Sequence, residues 1–273
     1  MATHSGLEFV KDYHVLAPPP LLSWEDCEYA DVGRASIKGG VKMNSESRVV
    51  RRQSALYAAL AALTMIAGAC TQLPAVDLSH FPSPAVDQTP PGTKGKQTAV
   101  LSGGCFWCTE AVFEQLAGVS DVTSGYAGGK PEEAHYEMVG SGKTNHAESI
   151  RITFDPSKIT YGTILKVFFS VAHDPTTKDR QGPDWGHQYR SAIWYKDAEQ
   201  EKIARAYIEQ LTAAKAFNAP IVTEVSPLKA FYAAEDYHQD YVKNNPSNPY
   251  VVVNAVPKIQ KLKKAYPDLL KKK

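Results

Sequence analysis

Cys105 and Cys108 stand in the string Gly103-Gly104-Cys105-Phe106-Trp107-Cys108-Thr109-Glu110. The string joins an apolar run (Ala99-Val100-Leu101) to a helix-like pattern of Ala111, Val112, Phe113 and Leu116. A thiol at that junction sits at a helix N-terminus, where free backbone N–H groups and the helix dipole favour the thiolate. The thiolate is the nucleophilic form, and such placement can lower a cysteine pKa from ~8.5 to about 3.5–7.5. The two glycines let the backbone turn tightly off the strand and leave the sulfur uncovered. The expectation is a cysteine-based active site with an acidic thiol at Cys105.

Glu148 is the second residue with chemical promise. In the alternating stretch 147–154 it shares a face with Ile150 and Ile152. A carboxylate on an apolar face is costly unless neutral or paired, and desolvation raises its pKa, which makes it a candidate general acid. The other reading is a strand-end glutamate that reaches solvent or pairs with a lysine. Asp184-Trp185-Gly186-His187-Gln188-Tyr189-Arg190 is a polar, glycine-punctuated loop entering a strand, the kind of segment that carries sites or merely caps a turn. Tyr136 is one of fourteen tyrosines and by itself indicates no role. Among the histidines, His135, His146, His173, His187 and His238 have no partner at H-x-x-x-H spacing. A single CxxC without a second pair is an incomplete zinc site, so no metal is expected.

The elements that must position these residues follow from Gln97 onward. Thr98–Ser102 reads as a short buried strand, Phe106–Leu116 as a helix capped by Gly118, and Val119–Gly125 as a second strand. Ala147–Phe154 is a strand stopped by Asp155-Pro156. Tyr161–Ala172 is a helix, Tyr189–Tyr195 a strand, Ala198–Ala216 a helix, Ile221–Val225 a strand and Pro257–Lys272 a terminal helix. Interleaved strands and helices predict one α+β domain over 97–273, a sheet covered on one face by helices.

The 273 residues carry a formal net charge of +1 and 43% hydrophobic residues. That supports an ordinary core and gives no bulk field toward nucleic acid or an anionic membrane. The lysine-rich C-terminus reads as the solvated face of the last helix. Four cysteines are too few for a disulfide scaffold of this size. Arg48, Arg51 and Arg52 precede a small-residue apolar run from Ala55 to Ala69, the n- and h-regions of an export signal over 43–70. Ala67-Gly68-Ala69 fits signal cleavage, and the same residues before Cys70 fit a permissive lipoprotein box that would acylate Cys70. Met43 is well placed as the initiator, which makes 1–42 an over-extended or disordered N-terminus. Residues 71–96 are proline-rich and read as a linker with little to bury. The expectation is a protein exported from a bacterial cytoplasm, periplasmic or lipid-anchored in the envelope.

Taken in order, these residues resemble the peptide methionine sulfoxide reductase A family. The blocks are Gly104-Cys105-Phe106-Trp107 with Glu110, Gly125-Tyr126-Ala127-Gly128-Gly129, and His146-Ala147-Glu148 running into Ile150-Arg151-Ile152. They continue through His173-Asp174-Pro175, Gly182 to Ser191, and Ala234-Glu235 with His238-Gln239. The resemblance implies a ferredoxin-like two-layer α/β sandwich. It implies Cys105 as nucleophile, Glu148 as the acid that protonates the sulfoxide oxygen, Tyr136 and Tyr189 as donors to that oxygen, and Asp184 as a polar anchor through water. Phe106 and Trp107 would enclose the S-methyl group, a use suited to aromatic–sulfur contact. It further implies the S-epimer of methionine sulfoxide as substrate, free or in oxidised proteins, and a sulfenic acid on Cys105 as product. No bound cofactor is implied, and the chain is expected to be a monomer.

Two departures from the family pattern are visible. Asn145 stands where glycine is common, and no cysteine follows Cys108, so the tail cysteines that many members use for recycling are missing. Either Cys108 attacks the Cys105 sulfenic acid and a thioredoxin-like donor reduces the disulfide, or an external thiol resolves Cys105 and Cys108 is a small buried apolar residue. The rival functions are a thiol–disulfide oxidoreductase built on the same CxxC and a metal-binding or structural lipoprotein. The first leaves Glu148 and the 184–190 loop without a role.

Overall fold

The computed structural model describes residues 78, 81–88 and 95–272. The readings for 1–42 and 43–70, including the signal and acylation at Cys70, fall outside them. β1 (Gln97–Gly103), β2 (Val119–Ala127), β3 (Ala147–Phe154), β6 (Ser191–Tyr195), β7 (Glu224–Pro227) and β8 (Phe231–Ala233) form one sheet in the order β7-β6-β1-β3-β2-β8. β6, β1, β3 and β2 are antiparallel neighbours. With α1 (Phe106–Phe113) joining β1 to β2 and α3 (Tyr161–Val167) following β3, they make the ferredoxin-like α+β core that the sequence implied. β7 adds parallel to β6 at one edge and β8 antiparallel to β2 at the other.

Strand alternation decides what each sheet face carries. Leu101, Ile150, Ile152, Phe154 and Ile193 pack under Val112 and Phe113 of α1, Ile164 and Leu165 of α3, Tyr207 and Leu211 of α4 (Ala198–Ala213) and Leu262 of α7 (Val256–Ala265). Among the described residues, no helical side chain joins the cluster on the opposite face. Val100, Ala127, Ala147, Ala192 and Trp194 are sealed there by Leu228 and Phe231, and the Trp194 indole donates to Ser102 Oγ at 2.8 Å. Two layers result because only one face is continuously apolar and large.

Several boundaries differ from the sequence reading. The first helix ends at Phe113, and the helix from Tyr161 passes into a π turn over Phe168–Ala172. The strand expected from Tyr189 begins at Ser191, because His187–Tyr189 forms a 3-10 turn. The strand expected at Ile221–Val225 lies at Glu224–Pro227, and the last helix stops at Ala265. The hairpin β4 (Arg180–Gln181) and β5 (Asp184–Trp185), the short helices α2 (Tyr136–Gly140), α5 (Tyr241–Asn244) and α6 (Pro249–Asn254), and β8 carry too few residues for a periodic signal.

The proline-rich stretch is corrected in part. Residues 81–88 are docked on the domain instead of linking to it. Phe81 is buried in the main core, its ring edge-on to Phe217 with centroids 5.9 Å apart. Tyr207 Oη donates to the Pro82 carbonyl at 2.7 Å, and Asp87 accepts from Gly162 N at 2.8 Å and Thr160 Oγ1 at 2.5 Å. One aromatic anchor and a carboxylate over the start of α3 suffice to hold an otherwise polar segment. Among the described residues no helix is long and apolar enough to cross a membrane.

Candidate active site

Cys105 is the N-cap residue of α1, reached from β1 through a turn at Gly104. Gly104 has φ +81°, and a Cβ there would lie 2.5 Å from the Gln181 side chain, so the turn requires glycine. Gly103 is constrained differently, by the Phe168 and His173 rings packed against it. β3 delivers Glu148 from the adjacent strand, where its carboxylate accepts from Phe106 N at 3.0 Å. α2 delivers Tyr136, and the turn after β5 delivers Tyr189. These residues, with Phe106, Trp107 and Asp184, line a single hollow of about 200 Å³. Every residue expected at the sulfoxide, scattered over 85 positions of sequence, therefore meets in one place.

Glu148 is 3% exposed, and burial first, then the charge of Cys105, raises its pKa well above the ordinary carboxylate range despite the Phe106 N–H. Burial thus favours its protonated form, and the side chain is a buried acid and not a solvated strand end. Burial likewise raises Tyr136 and Tyr189, so both phenols stay protonated as donors. Burial raises Asp184 as well.

The acidic thiol expected at Cys105 is not found. Burial pushes this thiol well up, and the neighbouring Cys108 adds to the effect. The sulfur is dry, with Cys105 7% exposed, and its side chain makes no capping bond to the helix N–H groups. Desolvation thus outweighs the dipole of a two-turn helix. Cys108 is shifted down by its contact with Cys105 and by the charge of Lys258. It is 1% exposed, packed with Val251 and Ala255. Cys108 does not line the sulfoxide hollow. With Cys105 it forms part of a neighbouring hollow of about 430 Å³, together with His173, Gln181, Asp184, Tyr250 and Lys258. Both cysteines are free.

The sequence reading missed Tyr250, which lines both hollows. Its hydroxyl donates to Asp184 Oδ2 at 2.5 Å, and its side chain packs against the cluster that holds both cysteines. It also missed Tyr241, stacked on Trp107 with centroids 3.7 Å and planes 8° apart. The Trp107 indole donates to His238 Nδ1 at 3.0 Å, which fixes the tryptophan at the rim. Glu235 accepts from Tyr136 N and from Tyr126 Oη, both at 2.9 Å, and so anchors the helix that presents Tyr136. Neither Tyr241 nor Tyr250 lies in a motif or a periodic run, so no local signal could have picked them out.

His146, His173, His187 and Arg190 hold the frame. His146 bonds the Lys130 carbonyl at 2.8 Å, and His173 bridges the Phe168 carbonyl and Ser191 Oγ at 2.9 and 2.7 Å. His187 meets Asp179. Arg190 donates to the Asn145 and His187 carbonyls, tying the 184–190 loop to β3's entry. Among the described residues no three His, Cys, Asp or Glu side chains are grouped to hold a metal.

The sequence profile of the peptide methionine sulfoxide reductase family matches residues 97–270. The peptide methionine sulfoxide reductase MsrA 2 of Synechocystis sp. is 52% identical over 193 residues, 70% of this chain and 90% of the relative. Methionine sulfoxide reductase A of Corynebacterium diphtheriae superposes with a TM-score of 0.50 at 35% identity, over 57% of this chain and 78% of the other. Mxr1 from Saccharomyces cerevisiae in reduced form gives a TM-score of 0.50 at 31% identity, over 60% and 92%. A buried cysteine and a buried glutamate in one aromatic hollow thus stand on a matching fold and a matching sequence: the chain belongs to the peptide methionine sulfoxide reductase family and is an oxidoreductase of methionine sulfoxide.

Proposed function

We propose that the chain repairs methionine S-sulfoxide, in proteins and as the free amino acid, through a Cys105 sulfenic acid that Cys108 converts to a disulfide. The observation that carries this reading is the buried Glu148, its pKa raised by desolvation, lining the same hollow as Cys105. A sulfoxide oxygen is a poor leaving group until it is protonated, and Glu148 supplies that proton while Tyr136 and Tyr189 hold the oxygen. Phe106 and Trp107 receive the methyl group, and Asp184 anchors the polar side. Cys105 attacks the sulfur, methionine leaves, and the oxygen remains on Cys105 as the sulfenic acid. Attack by Cys108 then releases water and closes a disulfide across the first turn of α1. The i, i+3 spacing and the Cys108 N–H bonded to the Cys105 carbonyl at 3.2 Å suit such a bridge. A thioredoxin-like dithiol returns both cysteines to thiols by exchange. The signal-like 43–70 stretch, with Cys70 at its end, favours an exported or lipid-anchored enzyme.

The test is a single turnover. The reduced protein is mixed with racemic methionine sulfoxide without recycling reductant, and the protein mass and the remaining epimer are measured. One equivalent of methionine, consumption of the S-epimer alone, and loss of two hydrogens mapping to Cys105 and Cys108 are the expected result. Release of methionine with a stable oxygen on Cys105 would remove Cys108 as resolver. Consumption of the R-epimer would overturn the stereochemistry.

A further inference from the structure

Closing the disulfide is a second chemical step with its own proton problem. The Cys108 thiol must lose a proton and the hydroxyl on Cys105 must gain one before it leaves as water. Glu148 is badly placed for this, because it lines the hollow from which Cys108 is absent. Tyr250 lines both hollows, one of them with both cysteines, and packs against the cluster that contains them. Its hydroxyl is oriented by the 2.5 Å bond to Asp184 Oδ2. The phenol is set by α6, whose N-cap Asn248 accepts from Tyr250 N at 2.9 Å, and by an edge contact with the Trp107 ring at 6.0 Å.

We infer that Tyr250 is a catalytic residue of the resolving step, passing the Cys108 proton to the hydroxyl that leaves Cys105. The inference rests on the proposal that Cys108 is the resolver. In this step the Cys108 sulfur bonds to the Cys105 sulfur and the S–O bond of the sulfenic acid breaks. The phenol accepts the proton of the Cys108 thiol as it gives its own to the departing oxygen. The Cys105 sulfur is reduced by the electron pair that the Cys108 sulfur supplies, and water is the only product released. Burial and the surrounding acids hold the phenol protonated, so it acts as a relay and never as a free tyrosinate. Asp184 is a positioning residue here: it holds the phenol O–H at rest, and the O–H turns from its carboxylate to the leaving hydroxyl as the step begins.

The experiment is rapid-quench single turnover of Tyr250→Phe and the parent protein, following methionine release, sulfenic acid captured by dimedone, and the disulfide by mass. The variant is expected to accumulate the trapped sulfenic acid and to close the disulfide ~10²-fold more slowly, a far larger loss than any in methionine release. Disulfide closure at the parental rate would overturn the inference while leaving Cys108 as resolver. Equal slowing of both steps would overturn it too, since that is the signature of a loosened α6. If the parent itself never forms the disulfide, the resolver proposal fails and carries this inference with it. The parent offers an independent reading in deuterated water. A solvent isotope effect of about two or more on closure, lost in the Tyr250→Phe variant, supports a proton in flight through the phenol, and an effect near unity on closure in the parent would overturn the relay.

Discussion

At the scale of single residues, the site is governed by desolvation. Glu148 and Cys105 line one buried hollow, and the same burial raises the pKa of the acid and of the thiol. Glu148→Gln preserves shape and removes the proton, so kcat for sulfoxide reduction should fall by ~10²–10⁴-fold. Disulfide exchange with a small dithiol should be nearly unchanged, and a matching loss there would favour the thiol–disulfide oxidoreductase. Because the glutamate's pKa is raised, the acid form is lost as pH rises through that raised value. The pH profile of kcat should therefore fall on its alkaline side, and this limb should be absent from the residual activity of the variant. Tyr189→Phe removes one donor to the sulfoxide oxygen, and kcat should drop by roughly 10²-fold with binding little altered. A change confined to KM would argue that Tyr189 only lines the pocket.

At the scale of elements, the site is assembled by short pieces pinned at their ends. α2 has five residues, and Tyr136 is placed by Glu235, whose carboxylate bonds the Tyr136 N–H and the Tyr126 hydroxyl. Glu235→Ala should lower kcat while leaving alkylation of Cys105 at its parental rate, since α1 is untouched. Slowed alkylation would place Glu235 in the cysteine's own environment. On the far side of the helix layer, the 81–88 segment closes the core over α3 and α4. Phe81→Ala removes a nearly buried ring, and unfolding free energy should fall by about 3 kcal/mol, read from denaturant melts. A loss below about 0.5 kcal/mol would return the segment to the status of a linker.

Over the whole molecule, stability depends on acids that the reaction does not use. Glu110 is 2% exposed on α1, next to Ser124 and the Asp240 backbone, and burial raises its pKa to about 8. Its neighbour Glu114 is raised to about 7, again chiefly by burial. A carboxyl raised in the folded state holds a proton that the unfolded chain has lost. Stability is therefore lost as pH climbs from the ordinary glutamate range through the raised value. The melting temperature should decline between pH 5 and pH 9, with Glu110, the more strongly shifted of the two, the larger contributor. Glu110→Gln should flatten the decline, and an unchanged slope in that variant would assign the effect elsewhere. His173 runs the opposite way, since burial lowers its pKa to about 3, and its neutral ring loses stability as pH falls below 6.

Much of this protein was legible from residue types alone. The alternation of β3 placed Glu148 on the apolar face before any contact was known, because side chains on a strand alternate strictly. The glycines before Cys105 declared a tight turn, and Gly104 does adopt a positive φ. The ordered blocks from Gly104 to Gln239 implied both the fold and the chemistry. Tertiary structure alone decided the rest. Whether Cys105 is acidic depends on how dry the hollow is, and dryness comes from Phe106, Trp107 and Tyr250, brought from both ends of the domain. The proline-rich 81–88 segment is docked because Phe81 finds a slot beside Phe217, a contact across more than a hundred residues. Tyr241 and Tyr250 reach the site from helices of four and six residues, too short for periodicity to announce. Local sequence fixes which face a side chain takes, whereas desolvation and long-range contact depend on the whole chain having folded around it.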